Sequence, residues 1–411
     1  MATKAKTKRP KARAKGKTTR ERIDKPPYEV PLMDEIKALP KNGLKMASTF
    51  SGCGGSCLGY RMAGWDVAWA SEFIPAARET YLANYPDALV DDRDIREVQP
   101  SDIMEAIGVS KGELDLFEGS PPCASFSMAG ARDKLWGKEK KYSQTTQRAD
   151  DLFWEYGRLV KGVQPKAFMA ENVKGLTTGK AKGYYLDIKE MLQACGYKVE
   201  CRIVDAQWLG VPQHRERAIF IGVRNDIDKN PIDGFPTKLS YRYAIRDALP
   251  HIASLMIRQL YGEDKRVGGN EVSPTVDTKG IGAKDFYHLE ANDLEGTSFV
   301  GYAIESEWRK LKQGKASKKY FQLVRPDPRK PCPTITQAGG TSPGTAGVTH
   351  PNEPRKFTIP ELRRICSFPD DFQLLGSFPQ QWERCGRAVP PIMARAIARS
   401  IARGLFDTEP S

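Results

Sequence analysis

Between Gly43 and Val223 short apolar runs alternate with stretches whose apolar residues recur at helical spacing, and this alternation limits the chain to one class of fold. Gly43–Phe50 reads as a strand ending in a glycine-rich turn, Ser51-Gly52-Cys53-Gly54-Gly55, and Cys57–Ala63 as a helix closed by Gly64. Further strands are expected at Asp66–Ser71, which stops at Glu72, and at Ala88–Val90, which leads to Asp94-Ile95. Leu114–Phe117, Ala167–Ala170, Tyr197–Val204 and Ala218–Val223 complete the set of strands. Helices are expected at Pro75–Tyr85, from about Asp150 to Val163, and at Tyr184–Ala194. Strands and helices in turn imply an α/β fold, a parallel sheet with helices on both faces.

From about Asn225 the pattern weakens, and residues 225–324 read as a second, smaller and irregular domain. Residues 325–411 return to order, with Pro333-Thr334-Ile335-Thr336 and a closing helix at Pro391–Phe406, and complete the domain begun at 43–224. The start of the chain is different in kind. Residues 1–25 hold eleven Lys/Arg against Glu21 and Asp24, a net of nine out of +13, and lack large apolar side chains. Such a segment cannot offset its ordering entropy and is expected to be a disordered basic tail, an electrostatic footprint for nucleic acid. No apolar run approaches the roughly 18 residues of a membrane span, and the basic start has no apolar segment of a signal peptide. A cytosol-like compartment follows, with the eight cysteines reduced. Four histidines scattered singly and no second Cys/His pair of zinc spacing give no metal site.

The chemistry concentrates at strand ends. Leu114–Phe117 runs into Gly119-Ser120-Pro121-Pro122-Cys123, and two prolines stiffen the exit so that Cys123 is held where open α/β sheets place their reactive groups. Small and polar residues follow it, unlike the surroundings of a core cysteine. Ala167–Ala170 delivers Glu171-Asn172-Val173 to the end of its own strand, so a thiolate nucleophile and an acid share one crevice if the two strands are neighbours. The turn at Gly52, Gly54 and Gly55 lets backbone amides approach a ligand, and Glu72, twenty residues after Gly52, is placed for ribose hydroxyls. Cys57 stands where the third glycine of a dinucleotide fingerprint would fall, so a nucleoside cofactor without pyrophosphate fits better. Asp94 is placed to accept from an adenine amino group and Phe73 to stack on its ring.

Phe50-Ser-Gly-Cys-Gly-Gly55, Asp94-Ile95, Gly119-Ser-Pro-Pro-Cys123, Glu171-Asn-Val173, Pro212-Gln-His-Arg-Glu-Arg217, Pro333-Thr-Ile-Thr336 and Gly386-Arg-Ala-Val389 resemble, in order and spacing, the motifs of the DNA (cytosine-5) methyltransferases. The resemblance implies a Rossmann-like methyltransferase sheet, with 225–324 as the target-recognition domain. It implies that Cys123 attacks carbon 6 of a cytosine flipped from double-stranded DNA and that Glu171 protonates ring nitrogen 3, while Arg215 and Arg217 serve the base and orient the site. Carbon 5 then takes a methyl group from S-adenosyl-L-methionine. Phe50, Gly52, Gly54, Gly55, Glu72, Phe73, Asp94, Ile95, Pro122, Leu152 and Val389 would line the cofactor site. Ser127 and Arg132, in the polar stretch after Cys123, would contact DNA. A monomer, a cognate restriction endonuclease as counterpart, and a cytoplasmic, nucleoid-associated place in a bacterial or phage system go with that resemblance. Ser48 and Arg387 depart from it, since the family usually has Asp and Asn there. Two alternatives accompany it: a transfer RNA methyltransferase, whose Cys-Phe-Thr element is absent here, and a catalytically silent DNA-binding protein, which would have lost Cys123 or Glu171.

Overall fold

The computed structural model of the chain describes residues 25–122, 140–142, 145–147, 152–252 and 291–409. All but the last residue of the basic tail, together with Cys123, Ser127 and Arg132, lies outside the described residues.

Seven strands form one sheet: β1 (Lys45–Thr49), β2 (Asp66–Ser71), β3 (Val90–Asp91), β4 (Leu116–Gly119), β5 (Ala167–Val173), β6 (Tyr197–Asp205) and β7 (Glu216–Arg224), in the order β3-β2-β1-β4-β5-β7-β6. Six of them run parallel, but β7 lies antiparallel between β5 and β6, so the expected all-parallel sheet is corrected at one strand. The cause is the length of the connection. Residues 206–215 turn the chain back within a 3-10 turn and a short loop, too few for the helical crossover that a parallel neighbour needs.

The helices that fix the site are α1 (Gly55–Arg61), α2 (Pro75–Asn84), α3 (Pro100–Ile107), α4 (Leu152–Val163), α5 (Lys182–Ala194), α6 (Ala303–Lys310), α7 (Ile359–Ile365), α8 (Phe378–Arg387) and α9 (Pro391–Phe406). Helix α3 was not anticipated from the sequence, yet its signals are local: Pro100 at the first turn, an Asp102 carboxylate that accepts from the Gln99 amide at 3.1 Å, and Gly108 in the left-handed region at φ 64°.

Alternating strand residues divide the interior into two cores. Met46, Leu116, Met169 and Ile221 face one side of the sheet, and Ala47, Phe117, Phe168 and Phe220 face the other. The return segment supplies a large share of the first side through α7, α8 and α9, with Ile397, Ala398 and Ile401 buried, and Ile245, Leu249 and Ile252 join the same core. Among the described residues, the stretch around α6 has a small core of its own, made of Phe299, Ile304, Trp308 and Leu323.

The contact of α1 with α9 closes this arrangement. A side chain at Gly59 would place its Cβ 2.4 Å from the Pro391 carbonyl oxygen and 2.5 Å from the Ala394 Cβ. Gly59→Val is therefore expected to cost about 1–3 kcal/mol by overpacking, read as a lower urea midpoint at unchanged slope. A midpoint equal to that of the parent would show that the two helices separate freely.

Candidate active site

Strand β4 lies between β1 and β5, with Glu118 opposite Ser48 on one side and Gly119 opposite Ala170 on the other. The strands that carry the Pro-Pro-Cys and Glu-Asn-Val motifs are thus immediate neighbours, and both end at the same edge. Asn172 ties them beyond the ladder, donating from its side-chain amide to the Pro121 carbonyl at 3.1 Å. The described chain stops at the half-buried Pro122, one residue short of Cys123.

Glu171 is buried, and its carboxylate meets the Arg217 guanidinium at 2.6 Å. Antiparallel pairing of β7 with β5 places Arg217 opposite Val173, two residues beyond Glu171, so the ion pair spans one ladder step. Arg215 does something else. It is fully buried and donates to the carbonyls of Ile335 at 3.2 Å, Gly386 at 3.0 Å and Arg387 at 3.1 Å. Burial, with Arg217 close by, pushes its guanidinium down to about 9 against the pull of Glu171. The two arginines therefore divide the work: Arg217 holds the acid, and Arg215 holds the return segment against β7.

The residues that the resemblance assigns to the cofactor gather around the ends of β1, β2 and β3. Gly52, at φ 58°, donates its amide to Glu72 at 2.7 Å, and the Ile74 amide donates to the other carboxylate oxygen at 2.7 Å. Burial raises the Glu72 carboxyl above its ordinary range, opposed by these two amides and by Arg387 and Arg78. Phe50 takes a left-handed backbone at φ 55°, a conformation that costs a non-glycine residue roughly 1–2 kcal/mol and is kept where the surroundings demand it. Phe73 is half-buried, Asp94 is half-buried and paired with Arg96 at 3.0 Å, and Ile95 and Leu152 are core residues beneath them. Gly54 begins α1 at φ 89°. A Cβ on Gly55 would sit 2.8 Å from the Val389 carbonyl oxygen, so the glycine turn and the Gly386–Val389 segment meet face to face. Arg387 points its charge to Glu383 at 2.9 Å, while its influence on Glu72 places it beside this crevice.

Sequence reasoning missed Glu118. This carboxyl is buried on β4 and accepts from Ser48 Oγ at 2.5 Å and Ser56 Oγ at 2.7 Å, and Ser51 Oγ donates to Ser48 Oγ at 2.9 Å. The departure at Ser48 now has a physical reason: the acid sits on the neighbouring strand, in register with the serine. Desolvation, with Glu171 nearby, pushes Glu118 up to about 7 despite its two serine partners. The signal available in the sequence was a lone Glu inside an apolar strand run.

Tertiary structure also gathers His251, His350 and Glu361, whose ligand-type atoms lie within 4.8 Å of one another. The ring of His350 accepts the amides of Asn352 and Glu353 on Nδ1, which leaves its proton on Nε2, so that nitrogen has no lone pair for a metal. Glu361 meanwhile is held by both guanidinium arms of Arg355 at 2.7 and 2.9 Å. This cluster braces α7.

The C-5 cytosine-specific DNA methylase family model matches residues 44–403. The chain belongs to that family. It is 32% identical to the Type II methyltransferase M.NgoFVII of Neisseria gonorrhoeae over 88% of this chain and 87% of the relative. It is 31% identical to M1.HphI of Haemophilus parahaemolyticus over 86% and 85%. Among solved structures it resembles a prophage-encoded DNA modification methyltransferase of E. coli, with a TM-score of 0.62, 24% identity and coverage of 89% of this chain and 100% of that one. Spodoptera frugiperda DNMT2 follows with a TM-score of 0.57, 16% identity and coverage of 89% and 100%; both likenesses establish the fold. DNA cytosine-5 methylation is the activity of this family, and the Rossmann-like sheet expected from the sequence is the fold observed.

Glu118 gives this site a pH signature. Its carboxyl holds a proton to about 7 in the fold against an ordinary value of 4.5, so the native state binds more proton between those limits and stability falls as pH rises through them. Glu118→Gln removes that slope. Relative to the variant, the parent is expected to lose on the order of 3 kcal/mol from pH 4.5 to above pH 7 in urea unfolding, and a pH-independent difference would refute the assignment.

Proposed function

We propose that this chain methylates carbon 5 of a cytosine flipped out of double-stranded DNA, with Cys123 as nucleophile and Glu171 as acid. The observation that carries the reading is the direct pairing of β4 with β5, which brings the Pro121-Pro122 exit to the edge that holds the Arg217-bound Glu171. Carbon 5 of cytosine is a poor nucleophile until the ring loses aromaticity. Attack of the Cys123 sulfur on carbon 6 forms an S–C bond and moves an electron pair toward the ring, and a proton from Glu171 to nitrogen 3 takes up the charge. Once carbon 5 carries the methyl group, loss of its proton and breaking of the S–C bond free the thiolate, and the nitrogen 3 proton returns to Glu171.

S-adenosyl-L-methionine, when bound, supplies the electrophilic methyl group. The residues around the ends of β1, β2 and β3 suit a nucleoside: Glu72 offers a buried acceptor for a ribose diol, Asp94 an acceptor for an amino group, and Phe73 an aromatic face. Val389 and the Gly55 amide side of the turn would close the crevice, with Pro122 between it and the base. Arg215 keeps Gly386–Val389 in place and touches no reacting atom in this reading.

Residues 225–324 would choose the target sequence, and Ser127 and Arg132 would contact the DNA around the flipped base. Type II methyltransferases among the relatives support a restriction-modification setting with a cognate endonuclease. No helix of the described residues is long and apolar enough to cross a membrane, which accords with work in the cytoplasm beside the nucleoid. The transfer RNA alternative is disfavoured by the absence of the Cys-Phe-Thr element from the sequence.

Bisulfite sequencing of DNA from cells expressing the chain is expected to show protected cytosines within one recurrent sequence. Cys123→Ala should abolish that protection and retain DNA binding; normal turnover by this variant would sink the mechanism. Glu171→Gln should slow methyl transfer by about 10²–10⁴-fold, as loss of a general acid does, and a parental rate would assign the proton elsewhere.

A further inference from the structure

Outside residues 1–25 the chain carries a net charge of only +4, yet residues 307–330 hold nine Lys/Arg against Glu307 and Asp327, a net of seven. All other residues outside the tail therefore sum to a net of −3, so this stretch is strongly basic against them. That stretch runs from the end of α6 through the short hairpin of Lys315–Ala316 with Val324–Arg325. Lys310, Lys312, Lys315, Lys318 and Lys319 are all exposed. Local ion pairs take up Arg309 with Glu305 and Arg329 with Asp327, and none among the described residues includes the five lysines. Arg325 serves the fold, lying over the Trp308 ring at 4.1 Å. Five like charges so close together repel one another, a cost that a polyanion removes.

The hairpin loop carries an apolar group in the middle of this charge. Phe321 is 75% exposed, the highest value among the exposed large apolar side chains, and Val300 and Tyr302 are exposed at 56% and 48% on the same small unit. The loop holds Phe321 outward by its own bonding. Ser317 Oγ donates to Glu307 at 2.7 Å and accepts the amides of Lys319 and Tyr320 at 3.0 Å. The Ser317 amide donates to the Leu323 carbonyl at 2.8 Å, and the Tyr320 hydroxyl donates to the Ala303 carbonyl at 3.2 Å. Leu323 is buried, and Gln322 turns through the left-handed region at φ 69° between it and Phe321. Tyr320 and Leu323 anchor the loop on either side, and Phe321 is left standing among lysines.

We propose that residues 310–323 dock on duplex DNA, with Lys312, Lys315, Lys318 and Lys319 on phosphates and Phe321 as an apolar wedge against the bases. Ammonium groups match the regular phosphate charge, and an exposed Phe can wedge between the base steps of a duplex, so one partner answers both features. This inference rests on the DNA methyltransferase reading and assigns to particular residues the grip of the stretch that reading makes responsible for target choice.

The test measures binding of the full chain to a linear fragment of unmethylated plasmid DNA across a salt series. Combined Lys312→Gln, Lys315→Gln, Lys318→Gln and Lys319→Gln substitution is expected to reduce the slope of log affinity against log salt by about 3–4, since each phosphate contact contributes about 0.9. The corresponding Lys→Arg variant should keep the parental slope. Phe321→Ala should weaken binding by about tenfold with the slope unchanged, as loss of one stacking side chain does. All of these side chains are exposed, and equal urea midpoints would verify that the variants fold. An unchanged slope in the glutamine variant of a parent that binds and methylates DNA overturns the docking surface alone. Capture of phosphatidylserine vesicles through these lysines, with DNA binding untouched, overturns it in favour of a membrane surface. A parent that neither binds nor methylates DNA overturns both this inference and the reading beneath it.

Discussion

Arg215 is the tie on which the catalytic edge depends. Its guanidinium donates to Gly386 and Arg387, the last carbonyls of α8, and to Ile335 at the start of the return segment. Helix C-termini leave carbonyls without partners and carry partial negative charge, so a buried cation there is well placed even without a carboxylate in direct contact. The consequence runs in both directions along the chain. On one side Arg215 fixes the start of β7, two residues before Arg217 and its bond to Glu171. On the other it fixes Gly386–Val389, which abuts Gly55 at the glycine turn. The segments on either side of the crevice are tied by one side chain, 172 residues from the farthest carbonyl it holds.

A second constraint lies under the turn. The Ser48–Glu118–Ser56 group joins β1, β4 and the first turn of α1, so the turn that Gly52 and Glu72 shape rests on a buried carboxyl. An acid in register with Ser48 gives the turn a polar support at that depth, and the proton it carries depends on its surroundings. Desolvation outweighs two serine donors here, which leaves Glu118 near the middle of the neutral range.

The strands and helices of 43–224 were legible because each is short, periodic and punctuated by Gly, Pro or a charge; Asp66–Ser71 and Pro391–Phe406 stand where the sequence places them. The reversal of β7 was not legible, since residues 218–223 read as a strand in either direction and only the brevity of 206–215 decides. Helix α3 was overlooked although its capping signals are local. Glu171, Glu72 and the glycines could be singled out from strand ends alone. Glu118 and the separate tasks of Arg215 and Arg217 could not, because partners 46 to 172 residues apart define them. Likewise the tail drew attention as the source of positive charge, while the lysines of 310–319 became a surface only when the hairpin showed which of them lack carboxylate neighbours.

What the sequence by itself determined is the kind of fold and which candidate side chains stand at strand ends. Periodicity sets strand and helix, and motif order sets which side chains reach strand ends. What only the tertiary structure decided is how those ends meet. Register placed Glu118 against Ser48 and Gly119 against Ala170, burial shifted Glu118 and Arg215, and the return of residues 325–409 built the far side of the core. These outcomes depend on distances between residues remote along the chain and on the loss of water around them, quantities that a linear pattern does not contain.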